Sequence, residues 1–145
     1  IFDPGQSLPM LAPADLVRAV EGCRILIAND YELDLILSKT GLDRKDLTGL
    51  AGAVIVTLGE QGSRVLTRNS EVCIPPAKPK EVKDPTGAGD SYRGGLLSGL
   101  IQGLAIEECA RMGSACASFA VECYGTQEYS FSREEFHERY NGVSG

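Results

Sequence analysis

Residues 53–62 read AVIVTLGEQG, an aliphatic and β-branched run from Ala53 to Leu58 closed by Gly59 and Gly62. A short apolar run with no alternating polar face is what a strand buried on both sides requires, and glycines behind it demand a tight turn. A second such run, RILIAN over 24–29, stands upstream. Between the two, DYELDLILSKTG (30–41) places Leu33, Ile36 and Leu37 at helical spacing, with Asp30 as an early-turn acid and Gly41 as a stop. A shorter helix is predicted over 43–51. Strand, helix and strand in this order read as one parallel crossover unit.

The pattern continues on both sides. IFDPGQ at the start reads as a buried strand turned by Pro4-Gly5, and the chain opens at Ile1 without a methionine, as expected for a piece of a longer protein. PADLVRAVEGC (13–23) carries Leu16, Val17 and Val20 on one helical face, with Pro13 suited to a first turn. Downstream, SRVLTR and EVCIPP read as a hairpin around Asn69-Ser70. Helices are then predicted over 88–103, 106–123 and 132–140. Ser132 with Glu135 fits a capping box, and Phe131 with Phe136 fits the hydrophobic staple around it. The fold class is α/β, a mostly parallel sheet flanked by helices. With no repeat or linker-like tract, residues 1–145 read as one unit.

Composition excludes several functions. The 145 residues are 43% hydrophobic and 23% charged, with no apolar run long enough for a membrane helix. Net charge is −6 and no stretch concentrates Lys or Arg, so nucleic acid is not an expected partner. Five cysteines, an odd number, without a secretory signal point to a reducing, cytoplasmic setting. Cys109, Cys116 and Cys123 recur every seven residues, as a stripe of small core hydrophobes on one helix face would. The absence of any CxxC pair and the lone His137 argue against zinc.

The stretch VKDPTGAGDSYRGGLLSGL, residues 82–100, carries the chemistry. Gly87, Ala88 and Gly89 fall where a loop enters a helix, so backbone N–H groups point outward at the positive end of the helix dipole. That arrangement is an anion site, and glycines let the backbone approach a phosphate closely. Asp90 has two readings: an acid in the first turn that interacts favourably with the dipole, or a base that accepts the proton of an attacking hydroxyl. No GxxxxGK[ST] loop is present, and the third glycine of a dinucleotide fingerprint is replaced by Tyr92, although GAGDSYRG keeps an oxidoreductase reading open as a lesser alternative. Arg93 reads either as a phosphate neighbour or as a solvated helix residue.

DPTGAGDSYRGGLL (84–97) resembles the C-terminal signature of the ribokinase-like, PfkB-type carbohydrate kinases. NDYE (29–32) resembles that family's magnesium-associated NxxE element, and TLGEQG (57–62) its TxGxxG nucleotide loop. The resemblance implies a ribokinase-like, Rossmann-type layered fold, of which residues 1–145 would be the C-terminal nucleotide-binding and catalytic portion. It implies ATP and Mg²⁺ as cofactors and a sugar or nucleoside as acceptor. Asp90 would be the general base, and Gly87, Ala88 and Gly89 would hold the transferred phosphoryl. Thr57, Gly59 and Gly62 would lie along the nucleotide, although a plain turn explains them equally. Asn29 and Glu32 would organise Mg²⁺ through water, although a capped helix start explains them too. Asp84 would border a monovalent cation such as K⁺.

Gly113, Ala117 and Ala120 suit either an adenine pocket or close helix packing. VECYGTQEYSFSREEFHERY and IFDPGQSLP resemble the bacterial adenosine kinase-like branch, with a sugar kinase as the alternative. The family's N-terminal portion and lid do not occur in these residues, and the edge so exposed would favour a homodimer. The residues alone would then hold nucleotide with little to phosphorylate, as a nucleotide-binding module or regulatory remnant without turnover would.

Overall fold

The computed structural model describes residues 1–143 and divides them into two compact units. The first comprises Ile1–Leu58 and Arg64–Val72, the second Gly59–Ser63 and the chain from Cys73 onward. Helices are α1 (Pro13–Glu21), α2 (Asp30–Thr40), α3 (Arg44–Leu50), α4 (Ala88–Ile101), α5 (Ile106–Ala120) and α6 (Arg133–Asn141). Strands β1 (Ile25–Asn29), β2 (Ala53–Thr57), β3 (Ser63–Leu66) and β4 (Glu71–Ile74) form one sheet in the order β1-β2-β3-β4.

In the first unit β1 and β2 pair in parallel, in register from Ile25 opposite Ala53 to Asn29 opposite Thr57. The first four residues of each strand are buried, as expected of strands covered on both faces. One face packs Leu26, Ala28, Val54 and Val56 against Leu16 and Val20 of α1, Leu33 and Ile36 of α2 and Leu47 of α3. The expected first strand is reduced to a single parallel bridge, Phe2 with Leu26, because the chain turns at once into a 3₁₀ helix over Gly5–Met10. The predicted hairpin is present: between β3 and β4, Thr67 N–H donates to the Ser70 carbonyl at 2.8 Å. It makes the sheet mixed rather than all-parallel.

The second unit is built on α4 and α5. Gly95 and Gly99 let the two backbones approach: a Cβ on Gly95 would lie 2.5 Å from the Met112 carbonyl oxygen, and one on Gly99 2.9 Å from Cys109 Sγ. A Cβ on Gly113 would meet the Tyr92 carbonyl at 2.8 Å, so close helix packing accounts for that glycine. Cys109 is buried and Cys116 part-buried against this interface, but α5 ends at Ala120 and Cys123 lies beyond it. The cysteine stripe is therefore two residues long. Ser132 and Glu135 make the capping box of α6, and Phe131 stacks on Phe136 with centroids 6.0 Å apart.

Candidate functional site

At the carboxyl edge of the parallel pair the register sets Asn29 beside Thr57. Open α/β sheets bind ligands outside the carboxyl ends of their strands. Asn29 caps α2: its Oδ1 accepts from Glu32 N–H at 2.8 Å, and Glu32 Oε2 accepts from Asn29 N–H at 2.9 Å. The NxxE spacing is thus realised as a capping box. The reciprocal bond uses one carboxylate oxygen of Glu32, and a carboxylate has lone pairs for further partners.

After Thr57 the chain turns through Gly59 (φ 57°) and Gly62 (φ 85°). In the second unit Gly62 is required on packing grounds as well, since its Cβ would sit 2.2 Å from the Ile74 carbonyl oxygen. Ser63 follows, fully buried, and hydrogen-bonds the Tyr92 hydroxyl at 2.8 Å. Burial pushes the Tyr92 phenol up to about 12, against the hydrogen bond from Ser63.

The loop into α4 is held from both sides. Asp84 Oδ1 accepts from Thr86 N–H at 2.9 Å and Oδ2 from Gly125 N–H at 3.1 Å. The Thr86 side chain foremost, then the N–H groups of Gly125 and Thr86, hold its carboxyl below the usual range. Gly87 caps α4 in the left-handed conformation (φ 83°, ψ −5°) without a side-chain cap. A Cβ there would lie 3.0 Å from both Cα and O of Thr126, so backbone conformation and neighbouring chain both exclude a side chain.

Ala88 N–H turns back to the Pro85 carbonyl at 3.2 Å, and the helical ladder begins only with Ser91 N–H to Gly87 C=O. The first turn of a 14-residue helix therefore presents the N–H groups of Gly89 and Asp90 outward. Asp90 is at the third helical position, 70% exposed and paired with Arg93. Ser91 Oγ–H donates to Tyr129 OH at 2.6 Å, fixing the start of the helix from behind.

Sequence reasoning missed the support: Glu122, Gly125, Thr126 and Tyr129, which seat the loop, carry no periodicity. The only local hint is the Gly125-Thr126 pair beyond a helix end. A cavity of about 290 Å³ lined by Lys78, Lys80, Phe119 and Arg139 lies in the second unit, but none of the residues expected at the site lines it. We place the candidate chemistry at the α4 loop because exposed donors and an exposed carboxylate converge there. Among the described residues no group of three or more His, Cys, Asp or Glu could hold a metal ion directly, and no helix is long and apolar enough to cross a membrane.

The first unit is a parallel crossover with a capping box at the end of its first strand, and the second carries a glycine-started helix with an exposed aspartate; the protein is of the α/β class. The chain belongs to the pfkB family of carbohydrate kinases, whose family model matches residues 1–133. It is 44% identical over 127 residues to a nucleoside kinase of Methanothermobacter thermautotrophicus, covering 87% of this chain and 40% of that protein. The crystal structure of Methanocaldococcus jannaschii nucleoside kinase, a member of the ribokinase family, superposes with a TM-score of 0.93 at 37% identity, over 97% of this chain and 47% of that one. Burkholderia thailandensis nucleoside kinase in complex with inosine gives 0.94 at 35% identity, over 98% and 47%. The fold is that of the ribokinases, and the chain spans less than half the length of these relatives.

Proposed function

We propose that this chain is the C-terminal nucleotide-binding and catalytic portion of a kinase that transfers the γ-phosphoryl of Mg-ATP to a hydroxyl of a nucleoside, with sugars as the second acceptor class. The observation that carries this reading is the start of α4. Gly87 is held left-handed against Thr126, outward N–H groups follow, and an exposed carboxylate stands at the third position. Nucleoside acceptors come first because the Methanothermobacter relative is a nucleoside kinase and the Burkholderia neighbour holds inosine.

In this mechanism Asp90 takes the proton of the acceptor hydroxyl as its oxygen attacks the γ-phosphorus and the bond to ADP breaks. The Gly87–Gly89 turn cradles the phosphoryl, where the helix end stabilises its negative charge without reorganisation. Thr57, Gly59 and Gly62 line the nucleotide. Asn29 and Glu32 suit Mg²⁺ held through water, since the Glu32 carboxylate keeps capacity beyond its capping bond; a divalent ion there would neutralise phosphate charge. Asp84, with both oxygens engaged by loop N–H groups, would shape rather than fill a K⁺ site. Among the described residues all five cysteines are free thiols, which suits a reducing cytoplasm.

The test uses the full-length protein that carries this chain, with labelled γ-phosphate and a panel of inosine, adenosine, cytidine, ribose and fructose. Transfer to a nucleoside is expected, lowered roughly 10²–10⁴-fold in Asp90→Asn with ATP affinity retained. Unchanged turnover in that variant removes Asp90 from the mechanism. ATP binding without transfer to any acceptor favours the second reading, a nucleotide-binding module without turnover.

A further inference from the structure

Arg139 lies on α6, remote in sequence from the α4 loop, yet its side chain is only 10% exposed. Its Nη1 donates to Glu122 Oε1 at 2.7 Å and to Ser118 Oγ at 3.2 Å, and the guanidinium sits 3.9 Å from the centroid of the Phe119 ring. The Glu122 side chain is 17% exposed and also accepts the Lys80 backbone N–H. An ion pair this far from water is costly to break from one side, because the remaining charge is left without a partner.

Glu122 belongs to the segment that seats the α4 loop. The carbonyl of the preceding Val121 accepts from Lys83 N–H at 2.8 Å and from Asp84 N–H at 3.3 Å. Three residues on, Gly125 N–H holds Asp84 Oδ2 at 3.1 Å. Thr126 then packs against Gly87 so closely that a Cβ would stand 3.0 Å from it. The Glu122 carboxylate thus joins α6 to Lys80 in the segment that leads into the loop, and the backbone that carries it continues to the turn at Gly125 and Thr126.

We propose that Arg139 is a positioning residue for the phosphate-binding loop: through Glu122 it sets the placement of 121–126, and through that segment the N–H groups at the start of α4. It touches neither substrate nor reacting atoms. The inference rests on the kinase reading for its effect on activity, but its structural half, control of the loop, does not. A loop displaced by about 1 Å can cost about 100-fold in a reaction that depends on alignment. Arg139→Met keeps an apolar stem over Phe119 while removing the charge, and Arg139→Lys returns a cation of similar reach.

The experiment measures two things in the full-length protein and its variants: kcat and KM for ATP, and site-resolved amide hydrogen exchange in the absence of nucleotide. In Arg139→Met, kcat/KM for ATP is expected to fall about 10–100-fold. Exchange at the hydrogen-bonded loop amides of Lys83, Thr86 and Gly125 should accelerate while β1 and β2 keep wild-type protection, and Arg139→Lys should recover part of both. Wild-type exchange at Lys83, Thr86 and Gly125 in a folded Arg139→Met overturns the proposal, and so does acceleration spread equally over α4, α5, β1 and β2, the mark of a merely structural role. Should Arg139→Met not fold, Glu122→Gln is read by the same criteria. If the wild-type protein transfers no phosphate, the kinase reading fails while the exchange data still decide the positioning role.

Discussion

Gly87→Ala tests the geometry of the α4 start most directly, because two separate penalties meet there. An alanine forced to φ 83° costs about 1–2 kcal/mol from its own backbone. Its Cβ would then stand 3.0 Å from Thr126 Cα and O, backbone atoms that cannot rotate away, and overpacking of this kind costs about 1–3 kcal/mol more. The sum is about 2–5 kcal/mol. Gly103 at the other end of α4 supplies the control: its φ is 75°, but nothing lies within 4 Å of its Cβ position, so Gly103→Ala should cost only about 1–2 kcal/mol.

Urea unfolding followed by circular dichroism, with equal m-values, gives both numbers. The strain in Gly87→Ala should relax by moving the loop. If that forfeits one charge-assisted N–H contact, worth about 1.5–3 kcal/mol, titration calorimetry should show ATP binding weakened roughly 10–150-fold. Gly103→Ala should leave ATP binding alone. Equal destabilisation by the two substitutions, with ATP affinity unchanged in both, would refute the reasoning.

The NxxE element separates into a cap and a metal role. Asn29→Ala removes the cap acceptor and should cost about 0.5–2 kcal/mol of stability, read from the urea midpoint. Glu32→Gln keeps the capping bond while losing the charge, so stability should hold while the Mg²⁺ concentration for half-maximal activity rises; an unchanged Mg²⁺ requirement would leave Glu32 a cap alone. Tyr92 should stay un-ionised until about pH 12, whereas an unfolded tyrosine ionises near 10. Because the folded value is the raised one, its stabilisation is complete below about pH 10 and is lost as pH climbs toward 12. The difference in ultraviolet titration between wild type and Tyr92→Phe reports this directly. The same variant should lose about 1–3 kcal/mol, because the buried Ser63 hydroxyl is left unpaired.

Much of the architecture was legible because it is written in local chemistry. The β-branched runs at 25–29 and 53–57 became the parallel pair, and the capping pattern at Ser132 became the start of α6. The opening IFD misled, since two apolar residues carry no information about the turn that follows them. The third cysteine of the seven-residue repeat misled for a related reason: periodicity does not say where a helix stops, and α5 stops at Ala120.

The candidate site divides the same way. GAGD at a helix start, NxxE and TxGxxG are contiguous motifs, and their order along the chain suffices for the family. By itself the sequence determined the order of the helices, the parallel pair of β1 and β2, the caps at Asn29 and Ser132 and the family, because each follows from propensity, period or a short motif. Only the tertiary structure decided that Gly87 is excluded from carrying a side chain by Thr126, that Gly62 yields to the Ile74 carbonyl, and that Gly113 serves helix packing. It alone set Asn29 beside Thr57 and paired Arg139 with Glu122. Those are contacts between segments far apart in the chain, and no local preference encodes which backbone will come to lie against which.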